Sequence, residues 1–227
     1  TVVAPAEPQS GKSAALSLAT PQYLKKVHYE DGLRLYSFEG TPVDCIKLAI
    51  NEFFHDKRPD LIVSGINHGS NASVASLYSG TLGACIEGTL YDIPSIGFSI
   101  NTHDEDPDFS SVERYGKIIM DKYFQNPPSP DVYLNINFPA IPADQVKGIK
   151  TARRGRGRWI KEYEIRNDEN GGKYYFMKGE FENLETDMTQ GDHILNVVGN
   201  YVTIVPHKID NTDYQEMERL KTIWELD

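Results

Sequence analysis

The fold is decided by residues 61–71, which read LIVSGINHGSN. The first three residues form an apolar run rich in β-branched side chains, which is typical of a buried strand. The remainder is rich in Gly, Asn and Ser, which is typical of a loop. In open parallel sheets, ligands bind at the carboxyl ends of the strands, near the point where the strand order reverses. The stretch therefore predicts an α/β fold with a binding loop directly after a strand.

Outward from this stretch, apolar runs that resemble strands alternate with helical patterns. Two further strands are predicted at residues 93–98 and 132–137. Thr41 followed by Pro42 predicts the start of one helix. Another is predicted from about Ser79, and a third over about residues 110–124. This alternation predicts a largely parallel sheet that is covered by helices on both faces.

The pattern changes after Pro139, and from about residue 146 to 181 it favours extended structure. Asn170-Gly171-Gly172 is a turn signal between two runs rich in aromatic and apolar residues, so it predicts a β-hairpin. A hairpin that stands off an α/β core is more often an oligomerisation arm than a domain. Since a lone hairpin is marginal in water, we expect a homodimer or a homotetramer.

The end of the chain predicts one more strand and one more helix. The strand signal lies at residues 201–206, and Asn211 and Thr212 offer an N-cap for the helix. We therefore expect a single domain over residues 1–227. It comprises a core (1–139), a hairpin arm (about 146–181), and a last strand with a C-terminal helix (201–227).

Composition limits the class of function. The 227 residues are 39% hydrophobic and 25% charged, as in soluble globular proteins. The formal net charge of −10 argues against a general partner for nucleic-acid polymers. It does not exclude a phosphate substrate, because carboxylates can hold a divalent cation that attracts phosphate.

No apolar run reaches the roughly 20 residues that a transmembrane helix needs, which argues against a membrane partner. The two cysteines lie in apolar helical patterns, which favours reduced thiols and a cytoplasmic location.

The most distinctive candidate for phosphate binding is Tyr78-Ser79-Gly80-Thr81, which opens a predicted helix. A helix N-terminus offers unpaired backbone N–H groups and the positive end of a dipole. The hydroxyls of Ser79 and Thr81 add two donors, and Gly80 permits close approach of an anion. An ordinary serine cap explains the same residues. The sequence lacks the spacing of a Walker A loop.

Candidate metal and catalytic residues are fewer. Asn67 is a neutral oxygen donor suited to a hard cation such as Mg²⁺ or Mn²⁺, although Asn is also a common turn residue. The opening loop, which contains Ser10-Gly11, follows a strand end. It is a candidate third wall of the binding crevice expected at the strand ends, and a solvated loop is the alternative explanation. Among the histidines, only His68 and His207 border predicted strand ends and are candidates for catalysis.

Residues 153–158 form the one dense basic run and lead into Trp159. Arginine binds phosphate by paired hydrogen bonds, so this run is a candidate for steering a nucleotide, with Trp159 stacked on the base. A solvated or ion-pairing face of the hairpin arm explains the run equally simply.

Taken in order, these motifs resemble the SurE family of nucleotidases. The resemblance covers nearly the whole chain and rests on the following segments: Val2-Val3-Ala4-Pro5 with Ser10-Gly11, Gly40-Thr41-Pro42-x-Asp44, residues 64–71, Tyr78-Ser79-Gly80-Thr81 with Glu87-Gly88, residues 134–139, Lys147-Gly148, and residues 199–206. It implies a Rossmann-like, three-layer α/β core and a divalent metal, Mg²⁺ or Mn²⁺. It further implies hydrolysis of nucleoside 5'- and 3'-monophosphates to nucleoside and phosphate, and in some members of short polyphosphate.

The resemblance also implies site residues. It places metal ligands at Ser10 and Asn67. The substrate phosphate is expected at Asn67, Asn71, Ser79, Gly80 and Thr81. The family's two metal-binding aspartates, in an Asn-Asp-Asp-Gly loop after the first strand, have no counterpart here, since the sequence begins at Thr1 in what looks like the end of that strand.

From this start of the sequence we expect that the acidic loop precedes Thr1 and contains the catalytic group, which is left unassigned. A chain that starts at Thr1 is expected to have little or no metal-dependent phosphatase activity. Two alternatives to an enzyme stay open. One is a non-catalytic module that binds nucleotide or phosphate, and the other is an assembly scaffold.

Overall fold

The computed structural model describes residues 1–187 and 189–224. In this described part, the strands and α-helices are, in chain order, β1 (Val2–Pro5), β2 (Leu24–Glu30), β3 (Leu33–Phe38), α1 (Pro42–Leu48), β4 (Ile62–His68), α2 (Gly80–Leu90), β5 (Ser95–Ile100), α3 (Ser110–Gln125), β6 (Val132–Phe138), β7 (Ile149–Thr151), β8 (Gly157–Ile160), β9 (Tyr163–Asn167), β10 (Lys173–Met177), β11 (Glu180–Asn183), β12 (Val202–Lys208) and α4 (Tyr214–Trp224). A 3₁₀ helix, Ser73–Tyr78, precedes α2.

The core is a five-stranded sheet in the order β4-β5-β6-β12-β7. The first three of these strands are parallel, whereas β12 runs antiparallel to β6 and β7 lies parallel to β12. Helix α3 covers one face, where Ile96, Phe98 and Ile136 pack against Val112 and other apolar residues. Helix α2 covers the other face through Leu82 and Cys85. The α/β architecture predicted from the sequence is confirmed, with a mixed sheet in place of a purely parallel one.

The start of the chain lies in a separate three-stranded sheet, ordered β1-β3-β2. The strand expected at the start of the sequence is present as β1, which pairs in parallel with β3. Within the described residues, Val2 is 46% exposed.

Strand β4 is longer than the apolar run that predicts it. It continues through the Gly- and Asn-containing segment to His68 because pairing with β5 resumes, after an irregularity, at Asn67 and Ser99. Asn67 therefore lies at the end of a strand and not in a loop. Local residue preference predicts a loop here, and a non-local hydrogen-bond ladder overrides that preference.

The helix starts follow the local signals closely. Thr41 caps α1 in a capping box, in which its hydroxyl accepts the N–H of Asp44 and the Asp44 carboxylate accepts the N–H of Thr41. At the last helix, the carboxylate of Asp213 accepts the N–H of Glu216 at 3.0 Å, so Asp213 caps α4 in place of Asn211 or Thr212. The last three residues of the predicted C-terminal segment lie outside the described residues.

The predicted hairpin is present. Strands β9 and β10 are antiparallel, with Tyr163 opposite Met177, and Gly171 adopts a positive φ of 79° in the turn between them. Strands β8 and β11 pair below them and form the base of the arm. The single-domain division made from the sequence stays a prediction. None of the helices within the described residues is long and apolar enough to cross a membrane.

Candidate functional site

A cavity of about 1,400 Å³ runs along the length of β1 and β4 and extends past the ends of these strands toward the end of β5. Four parts of the chain line its polar end: the opening loop after β1, the end of β4, the start of α2, and the base of the hairpin arm. The lining residues used below are Glu7, Ser10, Asn67, His68, Gly69, Asn71, Ser79, Gly80, Thr81, His103, Trp159, Phe181 and His193. The fold thus brings all the predicted metal and phosphate residues to the wall of one cavity.

The start of α2 faces this cavity. The Ser79 hydroxyl accepts the backbone N–H of Leu82 at 3.2 Å, so it caps the helix. The N–H groups of Gly80 and Thr81 belong to the first turn and have no carbonyl partner inside the helix. Together with the positive end of the helix dipole, they make this corner suitable for an anion. The serine cap and the phosphate cradle are therefore compatible roles.

A side chain at Gly80 would make one tight contact. A Cβ atom at this position would lie 3.0 Å from Pro42 Cγ and 3.6 Å from the carbonyl oxygen of Gln9. The start of α1 and the opening loop therefore both lie close to the start of α2. Since Ser10 follows Gln9 directly, this contact also places the predicted Ser10 ligand beside the anion corner.

The opening loop is tied to the segment that precedes α2. Ser13 donates its N–H to the carbonyl of Tyr78 at 3.0 Å and its hydroxyl to the carbonyl of Leu77 at 2.9 Å. Farther along, the Thr41 hydroxyl donates to the carbonyl of Ala15 at 2.7 Å. These bonds hold the loop in place, so it forms an ordered wall of the cavity rather than a solvated loop.

The hydrogen bonding of Asn67 shows which of its two amide atoms is free to bind a ligand. Its Nδ2 donates to the carbonyl of Gly69 at 2.7 Å. Within the described residues, no hydrogen bond reaches its Oδ1, so this oxygen can serve as a ligand. Gly69, with a φ of 105°, adopts a conformation that few other residues reach.

A divalent cation finds only part of a coordination shell here. Ser10 and Asn67 are neutral oxygen donors, and Glu7 is the one carboxylate near them in the lining. The described residues contain no group of three or more His, Cys, Asp or Glu side chains that could hold a metal ion. Carboxylates supply most of the attraction in oxygen sites for Mg²⁺ and Ca²⁺. These donors do not by themselves fit a resident metal, and we assign no chemical step to one.

Asn71 is held in a buried network of amides. Its Nδ2 donates to Ser99 Oγ at 2.7 Å, and its backbone N–H donates to Asn137 Oδ1 at 2.8 Å. In turn, Asn135 Nδ2 donates to the Asn71 carbonyl at 2.9 Å. The side chain is thus engaged in fixing the loop after β4, and a direct contact with phosphate stays a prediction for this residue.

Asp192 is a residue of this region that the sequence did not single out. It is fully buried, and its Oδ1 accepts the backbone N–H groups of Ser73 (3.0 Å), Gly155 (2.8 Å) and His193 (2.7 Å). Burial raises the pKa of this carboxyl, although the three N–H donors favour its ionised form. Asp192 thereby joins the 3₁₀ helix before α2 to the base of the arm. A lone Asp between polar neighbours carries no sequence signal for such a role.

Only one of the two histidines predicted as candidates for catalysis lies at the cavity. His68 lines the cavity, but His207 does not; its ring stacks on Tyr133 with centroids 5.3 Å apart, and burial lowers its pKa to about 4. His103 lines the cavity instead, where its Cε1 would lie 2.6 Å from a Cβ on Gly69. No sequence pattern favoured His103, because its position depends on the absence of a side chain at Gly69.

The basic run is partly neutralised within the arm. Arg153 makes a paired ion contact with Glu185, at 2.9 and 2.6 Å, and Arg158 Nε lies 2.6 Å from Glu182 Oε2. For these two arginines the ion-pairing explanation holds. Trp159, at the end of the run, lines the cavity.

Comparisons with known proteins find relatives over nearly the whole chain. The family described as survival protein SurE matches residues 1–161. The chain is 38% identical over 226 residues to 5'-nucleotidase SurE of Chlorobaculum tepidum, covering 100% of this chain and 84% of that protein. It is 40% identical to 5'-nucleotidase SurE of Phocaeicola vulgatus, covering 100% and 86%. The crystal structure of a SurE protein from Aquifex aeolicus superimposes with a TM-score of 0.81 at 30% identity, covering 98% of this chain and 88% of that one.

Proposed function

The chain belongs to the SurE family, and from that premise we propose that it hydrolyses nucleoside 5'-monophosphates to nucleoside and inorganic phosphate. The printed names of the relatives support the reaction class. The observation that carries the proposal is the anion corner at the start of α2, which opens into the cavity along β1 and β4. A nucleotide phosphate is the charged group that such a corner suits.

The chain's own groups act on the phosphate by position and charge. The N–H groups of Gly80 and Thr81 hold its oxygens and stabilise the negative charge that develops in the transition state. The oxygen of water bonds to phosphorus as the bond from phosphorus to the nucleoside oxygen breaks. The leaving oxygen takes up a proton, and inorganic phosphate is released.

Finer features of the activity belong to the same proposal. We expect a requirement for Mg²⁺ or Mn²⁺, with Ser10 and Asn67 among the ligands, since both are hard oxygen donors on the cavity wall. We also expect activity on nucleoside 3'-monophosphates and on short polyphosphate, because a backbone cradle recognises phosphate oxygens rather than the rest of the substrate.

Phosphate release tests the proposal directly. Purified protein is given a panel of nucleoside 5'- and 3'-monophosphates with Mg²⁺, with Mn²⁺, or with a chelator. We expect release from the 5'-monophosphates that stops in chelator and returns when the cation is restored. No release from any nucleotide under any of these conditions would reject the enzyme proposal.

A non-catalytic phosphate-binding module is the second candidate. It is favoured by one observation, that the described residues offer no cluster of acidic or other strong metal ligands. The two candidates differ in turnover. Binding of adenosine 5'-monophosphate in calorimetry, with no phosphate released over hours, would identify the module.

We further propose that the protein assembles as a homodimer or a homotetramer through the arm and α4. The arm exposes aromatic and apolar side chains, among them Tyr163 and Tyr175 at 59% and Met177 at 75%, and α4 exposes Trp224 at 72%. Deletion of residues 212–227 should lower the mass in light scattering. An unchanged mass would remove α4 from the interface.

The buried, unpaired cysteines suit a reducing cytoplasm.

A further inference from the structure

Two asparagines on the central strand β6 are fully buried. Neither Asn135 nor Asn137 has any solvent exposure. A buried amide without hydrogen-bond partners is costly, so such a pair in a central strand needs a reason to be there. Each nitrogen and each oxygen of the two amides has a partner, and two of these partners belong to Asn71. The pair is therefore used to hold the loop after β4.

The two amides together fix the main chain of Asn71. Asn137 Oδ1 accepts the N–H of Asn71 at 2.8 Å, and Asn135 Nδ2 donates to its carbonyl at 2.9 Å. A bond of 3.0 Å from Asn137 Nδ2 to Asn135 Oδ1 links the two amides to each other. Both backbone groups of Asn71 are thus paired with buried side chains of the core, so this residue is held as firmly as a strand residue although it lies in a loop.

The side chain of Asn71 is fixed at one of its two polar atoms. Its Nδ2 donates to Ser99 Oγ on β5 at 2.7 Å. Its Oδ1 accepts no hydrogen bond within the described residues, and it is not enclosed there, since the enclosed polar side-chain atoms without a partner are Asn196 Oδ1, Thr203 Oγ1 and His207 Nε2. Asn71 is only 5% exposed and lines the cavity. Oδ1 is therefore the polar atom that this buried side chain presents to the cavity.

An amide oxygen in this place selects the kind of group that can meet it. It accepts hydrogen bonds and donates none. The oxygens of a phosphate dianion are acceptors as well, so they find no partner in Asn71 Oδ1, whereas a water molecule does. The N–H groups at the start of α2 are donors and line the same cavity. The cavity thus offers donors for a phosphate and one oriented acceptor for a water.

We propose that Asn71 is a catalytic residue whose Oδ1 accepts a hydrogen bond from the attacking water, and that Ser99 is a positioning residue that holds the Asn71 amide in this orientation. The inference rests on the proposed function and adds a group that directs the nucleophile. It gives Asn71 a partner other than the phosphate that the family resemblance implies.

The amide directs the water without acting as a base, because a neutral carboxamide oxygen accepts a hydrogen bond but does not take the proton. The water oxygen bonds to phosphorus as the bond from phosphorus to the nucleoside oxygen breaks. One hydrogen of the water stays on the released phosphate, and the other is transferred to the leaving oxygen.

Asn71→Ala tests the catalytic role through the separate behaviour of kcat and KM. The variant keeps both main-chain bonds of residue 71, so it should fold. We expect kcat for adenosine 5'-monophosphate to fall by about 100-fold, the order of loss for a misplaced reacting group. The KM and the inhibition constant of inorganic phosphate should stay at their wild-type values. A rise of both constants by as much as kcat falls would show that Asn71 contacts phosphate and would overturn the inference, as would wild-type kinetics.

Ser99→Ala tests the positioning role, since Ser99 is fully buried and lies outside the cavity lining. The variant removes the partner of Asn71 Nδ2, so the amide is free to turn, and kcat should fall by about tenfold, as for loss of one hydrogen bond. Added to Asn71→Ala, the same change should lower kcat no further, because the group that Ser99 positions is already gone. Additive losses in the double variant would overturn the positioning role.

Ser95→Ala is the matched control. Ser95 is also fully buried on β5, and its Oγ donates to the Ile93 carbonyl at 2.9 Å, at the other end of the strand. It should keep the wild-type kcat even if urea unfolding shows that both serine variants are destabilised. An equal fall of kcat in Ser95→Ala and Ser99→Ala would mean that only stability is lost, and would overturn the role of Ser99.

This inference and the proposed function fail in different ways. Wild-type protein that releases no phosphate rejects hydrolysis, and the attacking water with it. Wild-type protein that releases phosphate, beside an Asn71→Ala variant with an unchanged kcat, rejects the role of Asn71 alone. Calorimetry with inorganic phosphate adds a measurement without turnover. Equal affinity in wild type and Asn71→Ala is expected, and a weaker affinity in the variant would identify Asn71 as a phosphate contact and overturn the inference.

Discussion

The carboxylate of Asp192 accepts the backbone N–H of Ser73 across 119 positions of sequence, at 3.0 Å to Oδ1 and 3.1 Å to Oδ2. Ser73 begins the 3₁₀ helix before the anion corner and has a positive φ of 55°. The same carboxylate holds Gly155 at the entrance to the arm. A single buried side chain thus joins the 3₁₀ helix before α2 to the base of the arm.

Asp192→Ala should therefore destabilise the protein and weaken the site. It leaves three backbone N–H groups without their acceptor, and a buried unsatisfied donor costs about 1–3 kcal/mol. We expect a loss on the order of 3 kcal/mol in urea unfolding, with a raised KM in the conditions where the variant stays folded. Asp192→Asn keeps an oxygen at the position of Oδ1, so it should lose much less. If both variants unfold like wild type, Asp192 is not the junction that its contacts indicate.

Gly80→Val tests the anion corner. The first added carbon would lie 3.0 Å from Pro42 Cγ, and the two methyl groups would add further bulk at the start of α2. We expect the KM for adenosine 5'-monophosphate and the inhibition constant of inorganic phosphate to rise together, by about tenfold or more, since loss of one charge-assisted hydrogen bond is worth roughly 1.5–3 kcal/mol. Wild-type values for both constants would show that phosphate lies elsewhere.

Two other helix glycines should respond to alanine with opposite signs. At Gly116 in α3, the nearest atom to a new Cβ is Phe98 Cε2 at 3.7 Å, an ordinary contact. Gly116→Ala should therefore stabilise the protein by about 0.5–1 kcal/mol, because alanine loses less backbone entropy in a helix. At Gly88 in α2, the Cβ would lie 2.6 Å from Ile62 Cδ1 and closer still to Ser95 Oγ.

Gly88→Ala should therefore lower the melting temperature, whereas Gly116→Ala should raise it by about 2–4 °C. Calorimetric scans of the two variants beside wild type make the comparison. A rise for both would mean that backbone entropy outweighs the contacts at Gly88, and a fall for both would mean that Gly116 also lacks room for a Cβ. Gly116→Ala also serves as an activity control for Gly80→Val, since Gly116 is remote from the cavity lining.

Much of the fold was predictable because its signals are local. The helix start at Thr41, the serine cap at Ser79 and the Gly-rich hairpin turn each act within about four residues, and all are found where the sequence predicts them. The mixed direction of the sheet was not predictable in the same way. Whether β12 enters parallel or antiparallel to β6 depends on the path of the arm, not on the residues of either strand.

The candidate site was predictable only where function rests on short motifs. Asn67 and the start of α2 were found from residue type and spacing, and both line the cavity. Asp192, Phe181 and His103 were not found, because each depends on a neighbour far away in sequence. Phe181 reaches the cavity through its register with Trp159, and His103 does so through the bare face of Gly69. Single-sequence patterns do not contain such pairings.

The two cysteine thiols should be inert in the folded protein. Burial raises the pKa of Cys45 to about 12, with the charge of Asp44 adding to the effect, and burial raises the pKa of Cys85 further. At pH 8 a thiol of pKa 12 is ionised to about one part in 10⁴, whereas an ordinary thiol of pKa 8.5 is ionised to about a quarter. We expect a thiol reagent to label neither residue in native buffer and both in guanidinium. Rapid native labelling would contradict the close packing of α1 and α2.

Asn67→Ala should reduce both metal affinity and turnover while leaving the fold intact. Asn67 is only partly buried, and its one hydrogen bond, from Nδ2 to the Gly69 carbonyl, orients Oδ1 without supporting the core. Where Mn²⁺ binds, loss of one oxygen ligand should weaken its binding in calorimetry, and kcat/KM should fall in parallel. Asn51→Ala is the matched control, because exposed Asn51 makes the same kind of bond, from Nδ2 to the Lys47 carbonyl at 2.7 Å, away from the cavity. We expect the two variants to unfold at similar urea concentrations, so that a difference in Mn²⁺ affinity reports on the site. If Asn67→Ala binds Mn²⁺ as wild type does, Oδ1 is not a ligand and the role of Asn67 is confined to shaping the turn at Gly69.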